Sequence, residues 1–210
     1  MANKNPIELP KDSKELVKGY ADLSENIKNK QIKIINTPDF LALAKSRRSI
    51  RGFKNQDVSK EQLMKLIEAA QSAPSGGNCQ PWHFYVIKDK KLQADIKEKA
   101  CGQGWILTAS AFIVVCAEGS RSASSYGERG RDLYSIQDTA AAVQNILLCA
   151  KDMGLGTCWC GAFDESKLSE ILNLPEKFRP IAIVPIGYPE NDSYPPQNRR
   201  PIDEIVTFID

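Results

Sequence analysis

The chain has 210 residues, 42 % apolar and 26 % charged, enough for one domain of ordinary size with a real core. Its 28 basic and 26 acidic side chains are spread along the chain and leave a net charge of only +2, so a nucleic-acid partner is not expected. No apolar run approaches the roughly 20 residues that cross a bilayer, so no membrane partner is expected either.

Residues 1–36 read as an N-terminal extension or arm. Between Asp12 and Lys30, the residues Leu16, Val17, Tyr20, Leu23 and Ile27 fall at helical spacing among charges. That pattern fits a modest amphipathic helix packing on the body or a partner subunit, and equally a loosely ordered extension. Met1–Pro10 is polar and lacks the apolar centre of a signal peptide. Six cysteines are scattered at 79, 101, 116, 149, 158 and 160, with Cys116 and Cys149 inside apolar runs. Reduced thiols and a cytoplasmic location are therefore expected.

The body, 37–210, opens where Thr37 can cap a helix with Pro38 in its first position, running to about Ser46. Ser59 and Gln62 form a capping-box pattern ahead of Leu63, Leu66, Ile67 and Ala70, which predicts a helix ending before Pro74. Pro81–Ile87 reads as a strand and Lys90–Ala100 as a charged helix. Ala111–Ala117 is continuously apolar, as a strand covered on both faces should be. Residues 120–131, rich in Ser, Gly and Arg, are expected as a mobile loop. A long helix over Leu133–Met153 follows, lined in part by Ala140, Ala141 and Ala142 and stopped by Gly154. Thr157–Phe163 and Ile181–Ile186 read as strands around a helix at Glu165–Leu172. The tail from Pro189 is rich in Pro and Asn and ends in Ile202–Ile209.

Helices alternating with buried strands predict a mixed α/β or α+β sandwich. No Gly-x-Gly-x-x-Gly loop follows the first strand, so a dinucleotide-binding fold has no support. Two segments stand out chemically. Arg47-Arg48-Ser49-Ile50-Arg51 gathers three cations and a hydroxyl; Pro74-Ser75-Gly76-Gly77-Asn78-Cys79-Gln80-Pro81-Trp82 is a loop of small and polar residues. Cations hold a phosphate, and a small-residue loop lets backbone N–H groups approach a ring. Each alone has a plainer reading: a solvated basic face, or a turn. Gly154-Leu155-Gly156 reads as a helix stop, and Trp82 and Trp159 as core or interface. Cys158 and Cys160 point to one face of a strand, but a zinc or iron–sulfur site needs about four ligands. With one histidine, His83, and no second close cysteine pair, no metal is expected.

The two segments, followed in order by Gly154–Trp159, Pro185-Ile186-Gly187-Tyr188-Pro189 and Arg199-Arg200-Pro201, resemble the nitroreductase family of FMN-dependent oxidoreductases over about residues 38–210. The resemblance implies an α+β three-layer sandwich with a central, mainly antiparallel sheet flanked by helices. It implies a homodimer of the domain-swapped type, with FMN at the subunit interface. Arg47, Arg48, Ser49 and Arg51 would bind the FMN phosphate and the pyrimidine edge of the ring. Pro74, Ser75, Gly76 and Asn78 would line the flavin of the other subunit. Cys158, Trp159, Cys160 and Gly161 would lie beside the ring, and Arg199 would bind the phosphate. A second cation that some members carry two positions earlier is Gln197 here. No catalytic side chain is implied, because the flavin carries the chemistry. NADH or NADPH would reduce it, and a small-molecule acceptor such as a nitroaromatic, quinone or activated alkene would take the electrons. The alternatives are the same fold with other flavin chemistry (reductive dehalogenation, flavin fragmentation, azoline oxidation) and a non-enzymatic flavin-binding dimer.

Overall fold

The structure, a computed structural model, describes residues 40–195 and 197–209. The arm, its expected helix and the Thr37 cap lie outside these residues. The chain divides into two compact units, one through Lys45 and one from Ser46 onward. Helix α1 (Phe40–Ser46) runs to the first residue of the second.

The second unit is built on a four-stranded antiparallel sheet in the order β1-β2-β4-β3. Its strands are β1 (Trp82–Ile87), β2 (Ala111–Ala117), β3 (Gly156–Thr157) and β4 (Arg179–Gly187). The run Ala111–Ala117 is a strand throughout and is buried along its whole length. Side chains alternate across a strand, so β2 serves two cores. Ala111, Ile113 and Val115 face a layer holding Leu63, Leu66, Val143 and Ile146. Phe112, Val114 and Cys116 face a layer holding Ile96, Ile106 and Leu168. The result is the three-layer α+β sandwich.

The first layer is α2 (Lys60–Gln71) against α5 (Ser135–Asp152). The capping box forms as the sequence predicts: Gln62 N–H donates to Ser59 Oγ at 3.2 Å, and Ser59 N–H to Gln62 Oε1 at 3.0 Å. Asn145 ties α5 to α2 by donating to Ala69 O at 3.0 Å. The other layer is α3 (Lys90–Ile96), extended by a π-helical turn at Lys97–Cys101, beside α6 (Glu165–Leu172). Arg179 and Glu165 close a bidentate pair, 2.9 Å at both contacts, joining α6 to β4.

Two expectations are corrected. The expected loop 120–131 is helix α4 (Gly119–Arg129), bent at Gly127 (φ 58°, ψ −143°) and leading into a π-helical turn, Gly130–Tyr134. Propensity is poor there, but packing overrides it: a side chain on Gly130 would collide with Ser122 O, so only glycine lets the helix double back. The expected strand 157–163 is only the two-residue β3 plus a bridge from Cys160 to Ile183. Thr157 pairs with Ile186, so the same register sets Cys158 opposite Pro185. Proline offers no N–H, and the ladder lapses there.

Candidate functional site

The basic segment is fixed along the edge strand β3. Ser49 makes a parallel bridge with Thr157, and Ile50 N–H donates to Thr157 O at 2.9 Å. Gly156 is what permits the approach, because a Cβ there would lie 2.9 Å from both γ-carbons of Ile50. Arg48 donates through Nη1 to Arg47 O and through Nε to Pro195 O, both at 2.9 Å, which holds the C-terminal tail against the segment.

That tail brings Arg199 to Arg47. Burial first, then the charges of Arg199 and Arg48, pull the Arg47 pKa below its ordinary value. Like charges held this close are unfavourable until an anion joins them. Gln197 orients Arg199 by accepting from its Nη2 at 2.8 Å. Arg51 lies over the Trp105 ring, 5.9 Å from its centroid. The next stretch meets the same cations. The Cys160 S–H, with Arg51, Ser49 and Arg47 behind it, brings the Cys158 thiol down to about 7 against the opposing effect of burial. The ladder gap leaves Trp159 37 % exposed beside Gly161. Arg47, Arg48, Ser49, Arg51, Cys158, Cys160 and Arg199 thus lie in one region of the structure.

The small-residue loop is a separate construction. Gly77, Asn78 and Gln80 all have positive φ, at 54°, 55° and 49°, which costs about 1 kcal/mol or more for a residue with a Cβ. Tertiary bonds hold it. Gly76 N–H donates to both Asp138 carboxylate oxygens at 3.2 Å, and Gln80 N–H to Ser75 Oγ at 3.0 Å. A Cβ on Gly77 would lie 2.7 Å from the Tyr126 hydroxyl. Asp138 is buried, and burial raises its pKa above the ordinary carboxylate value although the Gly76 N–H opposes the shift. Beside the loop lies a cleft of about 410 Å³ lined by Asn78, Cys79, Ser120, Arg121 and Ser124.

Sequence reasoning did not find Asp138, Tyr126, Trp105 or Cys101. Asp138 left one trace, a carboxylate on the α5 face that also presents Ala142, Ile146 and Ala150 to the core. The other three reach their places only through tertiary folding.

The two halves do not meet within the chain. β1 and β3 are opposite edges of the sheet, three strand spacings or about 14 Å apart. Ser49 bridges Thr157, whose partner Ile186 pairs with Ala111 at one end of β2. The small-residue loop enters β1 at Pro81, whose C=O accepts from Glu118 N–H at the other end of β2. Ala111 and Ala117 are six residues apart, or about 20 Å. The halves therefore occupy diagonally opposite corners, about 25 Å apart.

The description of the nitroreductase family matches residues 44–123 and 98–188. A protein of Archaeoglobus fulgidus described as an NADH dehydrogenase/NAD(P)H nitroreductase is 37 % identical over 171 residues, covering 79 % of this chain and 95 % of its own. An FMN reductase [NAD(P)H] of Bacillus subtilis is 33 % identical over 159 residues, 70 % of this chain and 64 % of its own. The crystal structure of an NADH dehydrogenase/NAD(P)H nitroreductase from Parabacteroides distasonis superposes with a TM-score of 0.72 at 28 % identity, covering 81 % of this chain and 98 % of that one. The chain belongs to the nitroreductase family.

Proposed function

We propose that the protein is a homodimeric, FMN-dependent NAD(P)H oxidoreductase whose acceptors are nitroaromatics, quinones or activated alkenes. The observation that carries this reading is the convergence of Arg47, Arg48 and Arg199, where burial and then the charges of Arg199 and Arg48 lower the Arg47 pKa. A phosphate relieves that repulsion and suits several guanidinium forks. The residues present therefore fit FMN. Arg47, Arg48, Ser49 and Arg199 would hold the phosphate, and Arg51, backed by Trp105, the electron-rich edge of the ring. When bound, the flavin supplies the two-electron chemistry, accepting hydride from NAD(P)H and passing the electrons to the second substrate.

The chain's own part is binding, orientation and access. Where β3 lapses, the Trp159 and Gly161 N–H groups, which flank a Cys160 N–H bonded to Ile183 O at 2.9 Å, would hydrogen-bond the ring. The strained loop Pro74–Asn78, pinned by Asp138, offers small side chains and close backbone approach. Two such subunits place the corner of one against the opposite corner of the other, which completes each site from two chains. The C-terminal stretch supports this: Phe208 is 85 % and Ile209 94 % exposed, apolar surface that a partner subunit would cover.

The test is the visible spectrum of the purified protein while NADH and then NADPH are added, with a quinone or nitroaromatic last. A flavin spectrum that bleaches with the donor and recovers with the acceptor supports the reading. Colourless protein that binds no FMN at about micromolar concentration overturns it.

A further inference from the structure

Three of the six thiols gather in a cluster that flavin binding does not use in full. Cys101 ends the π-helical turn after α3; Cys158 and Cys160 lie in the lapsed ladder beside β4. Asp164 N–H donates to Ala100 O at 2.9 Å, which draws the stretch after Cys160 along the end of that turn. All three are buried in one apolar cluster with Ile96, Ile183 and Leu168. The three thiols share that cluster, and the Cys160 S–H pulls the pKa of both Cys101 and Cys158 down. Among the described residues no group of three His, Cys, Asp or Glu side chains is placed to hold a metal, so the chemistry open to the cluster is that of thiols.

Geometry selects the pair. Cys158 and Cys160 are two residues apart on near-extended chain, so their Cα atoms lie about 6.6 Å apart with parallel side chains, at the outer limit for a disulfide. Cys101 and Cys160 come from separate segments that face each other. Cys101 is also the least buried of the three, 9 % exposed against 3 % for the other two. It borders the exposed Gly102.

We propose that Cys101 and Cys160 are a peroxide-oxidisable thiol pair, forming a reversible disulfide that ties the 158–161 loop to the Lys97–Cys101 turn. The Cys101 thiolate attacks one oxygen of hydrogen peroxide and the O–O bond breaks. Cys101 becomes a sulfenic acid, and the departing hydroxide takes up a proton as water. The Cys160 sulfur then attacks the sulfenic sulfur, the S–O bond breaks, and the Cys160 proton leaves with the hydroxyl as a second water. Two thiols lose two electrons and two protons, and one peroxide is reduced to two waters. The first step is favoured because the Cys160 S–H, and after it Gln103, brings the Cys101 thiol to about 7 despite burial, and the thiolate is the reactive form. The bond needs only these residues and stands apart from the flavin reading.

The experiment treats the full-length protein with hydrogen peroxide, alkylates it under denaturing conditions and maps its peptides by mass spectrometry. Four of the six thiols should then alkylate, a peptide pair should join Cys101 to Cys160, and dithiothreitol should restore all six. Cys158→Ser should still form the bond, while Cys101→Ser and Cys160→Ser should not. A disulfide mapped between Cys158 and Cys160 overturns the proposal, as do six alkylated thiols after peroxide or sulfinic acid at one cysteine without a bond. Because the mapping is made on the wild-type chain, it decides the matter even if a variant fails to fold.

Discussion

Gly156→Ala tests whether the basic segment is positioned by close packing on β3. Gly156 sits in an ordinary strand conformation, so the added methyl brings no backbone strain. Its effect comes from contact: 2.9 Å to Ile50 Cγ1, 2.9 Å to Cγ2 and 3.0 Å to Cβ. Ile50 is 5 % exposed and its N–H is bonded to Thr157 O, so neither its side chain nor its backbone can retreat freely. Overpacking of this kind costs about 1–3 kcal/mol. At roughly 2–4 °C per kcal/mol for a domain of this size, thermal unfolding should fall by about 2–12 °C. A double-mutant cycle with Ile50→Ala isolates the contact. Ile50→Ala alone destabilises by about 2–4 kcal/mol, but combined with Gly156→Ala it removes the two γ-carbons the methyl meets. The double variant should be at least about 1 kcal/mol more stable than the sum of the single changes predicts. Urea unfolding followed by circular dichroism measures all four corners. Strict additivity, or a Gly156→Ala effect within about 0.5 kcal/mol of zero, would refute the reasoning.

Arg199→Ala should weaken FMN binding by about 10- to 100-fold, the loss of one charge-assisted contact, while leaving the flavin-free protein as stable as before or more so; flavin fluorescence titration and thermal unfolding read the two effects. Ser59→Ala should cost about 1 kcal/mol by removing the α2 cap, measured in urea, with no change in FMN affinity. Asp138→Asn keeps an acceptor for the Gly76 N–H but removes a buried charge. Because burial raises the native pKa of Asp138, the wild type is favoured with the carboxyl protonated, a contribution present below the ordinary carboxylate pKa and lost as pH rises through the native value. The Asn variant should therefore gain stability over wild type at neutral pH, and the gain should vanish toward acid; urea midpoints across pH that stay parallel would count against it.

What could be read from the sequence was local. The Ser59–Gln62 capping box and the apolar run at Ala111–Ala117 specify their elements through contacts within a few residues, and both elements stand where expected. The failures are where distant residues decide. Helix α4 has the composition of a loop, and its fold depends on Gly130 lying against Ser122 and on Tyr126 packing beside Tyr134, ring centroids 5.2 Å apart. The strand expected after Thr157 stops because of Pro185, a residue 28 positions away that register alone sets opposite Cys158. The basic segment was legible as a cluster of charge, and the resemblance supplied its tail partner Arg199. The support of Gly76 by Asp138, and the approach of Cys101 to Cys160, cross separations of 62 and 59 positions and leave no pattern in the chain.

The same proline links the fold to the proposed chemistry. A complete β3–β4 ladder would also pair the backbone of Cys158 with residue 185 of β4 and close that edge. Pro185 takes away one donor, and the ladder is interrupted at Cys158, beside Arg51, Ser49 and Arg47, before the chain rejoins β4 through the Cys160–Ile183 bridge. The fold gives up a ladder bond to keep peptide groups available at the one edge where cations converge. Restoring the donor should extend β3 at the expense of the site. Pro185→Ala is therefore expected to give a protected amide at residue 185 in hydrogen exchange while weakening FMN binding, and a protected amide there with FMN affinity unchanged would separate the ladder gap from the cofactor.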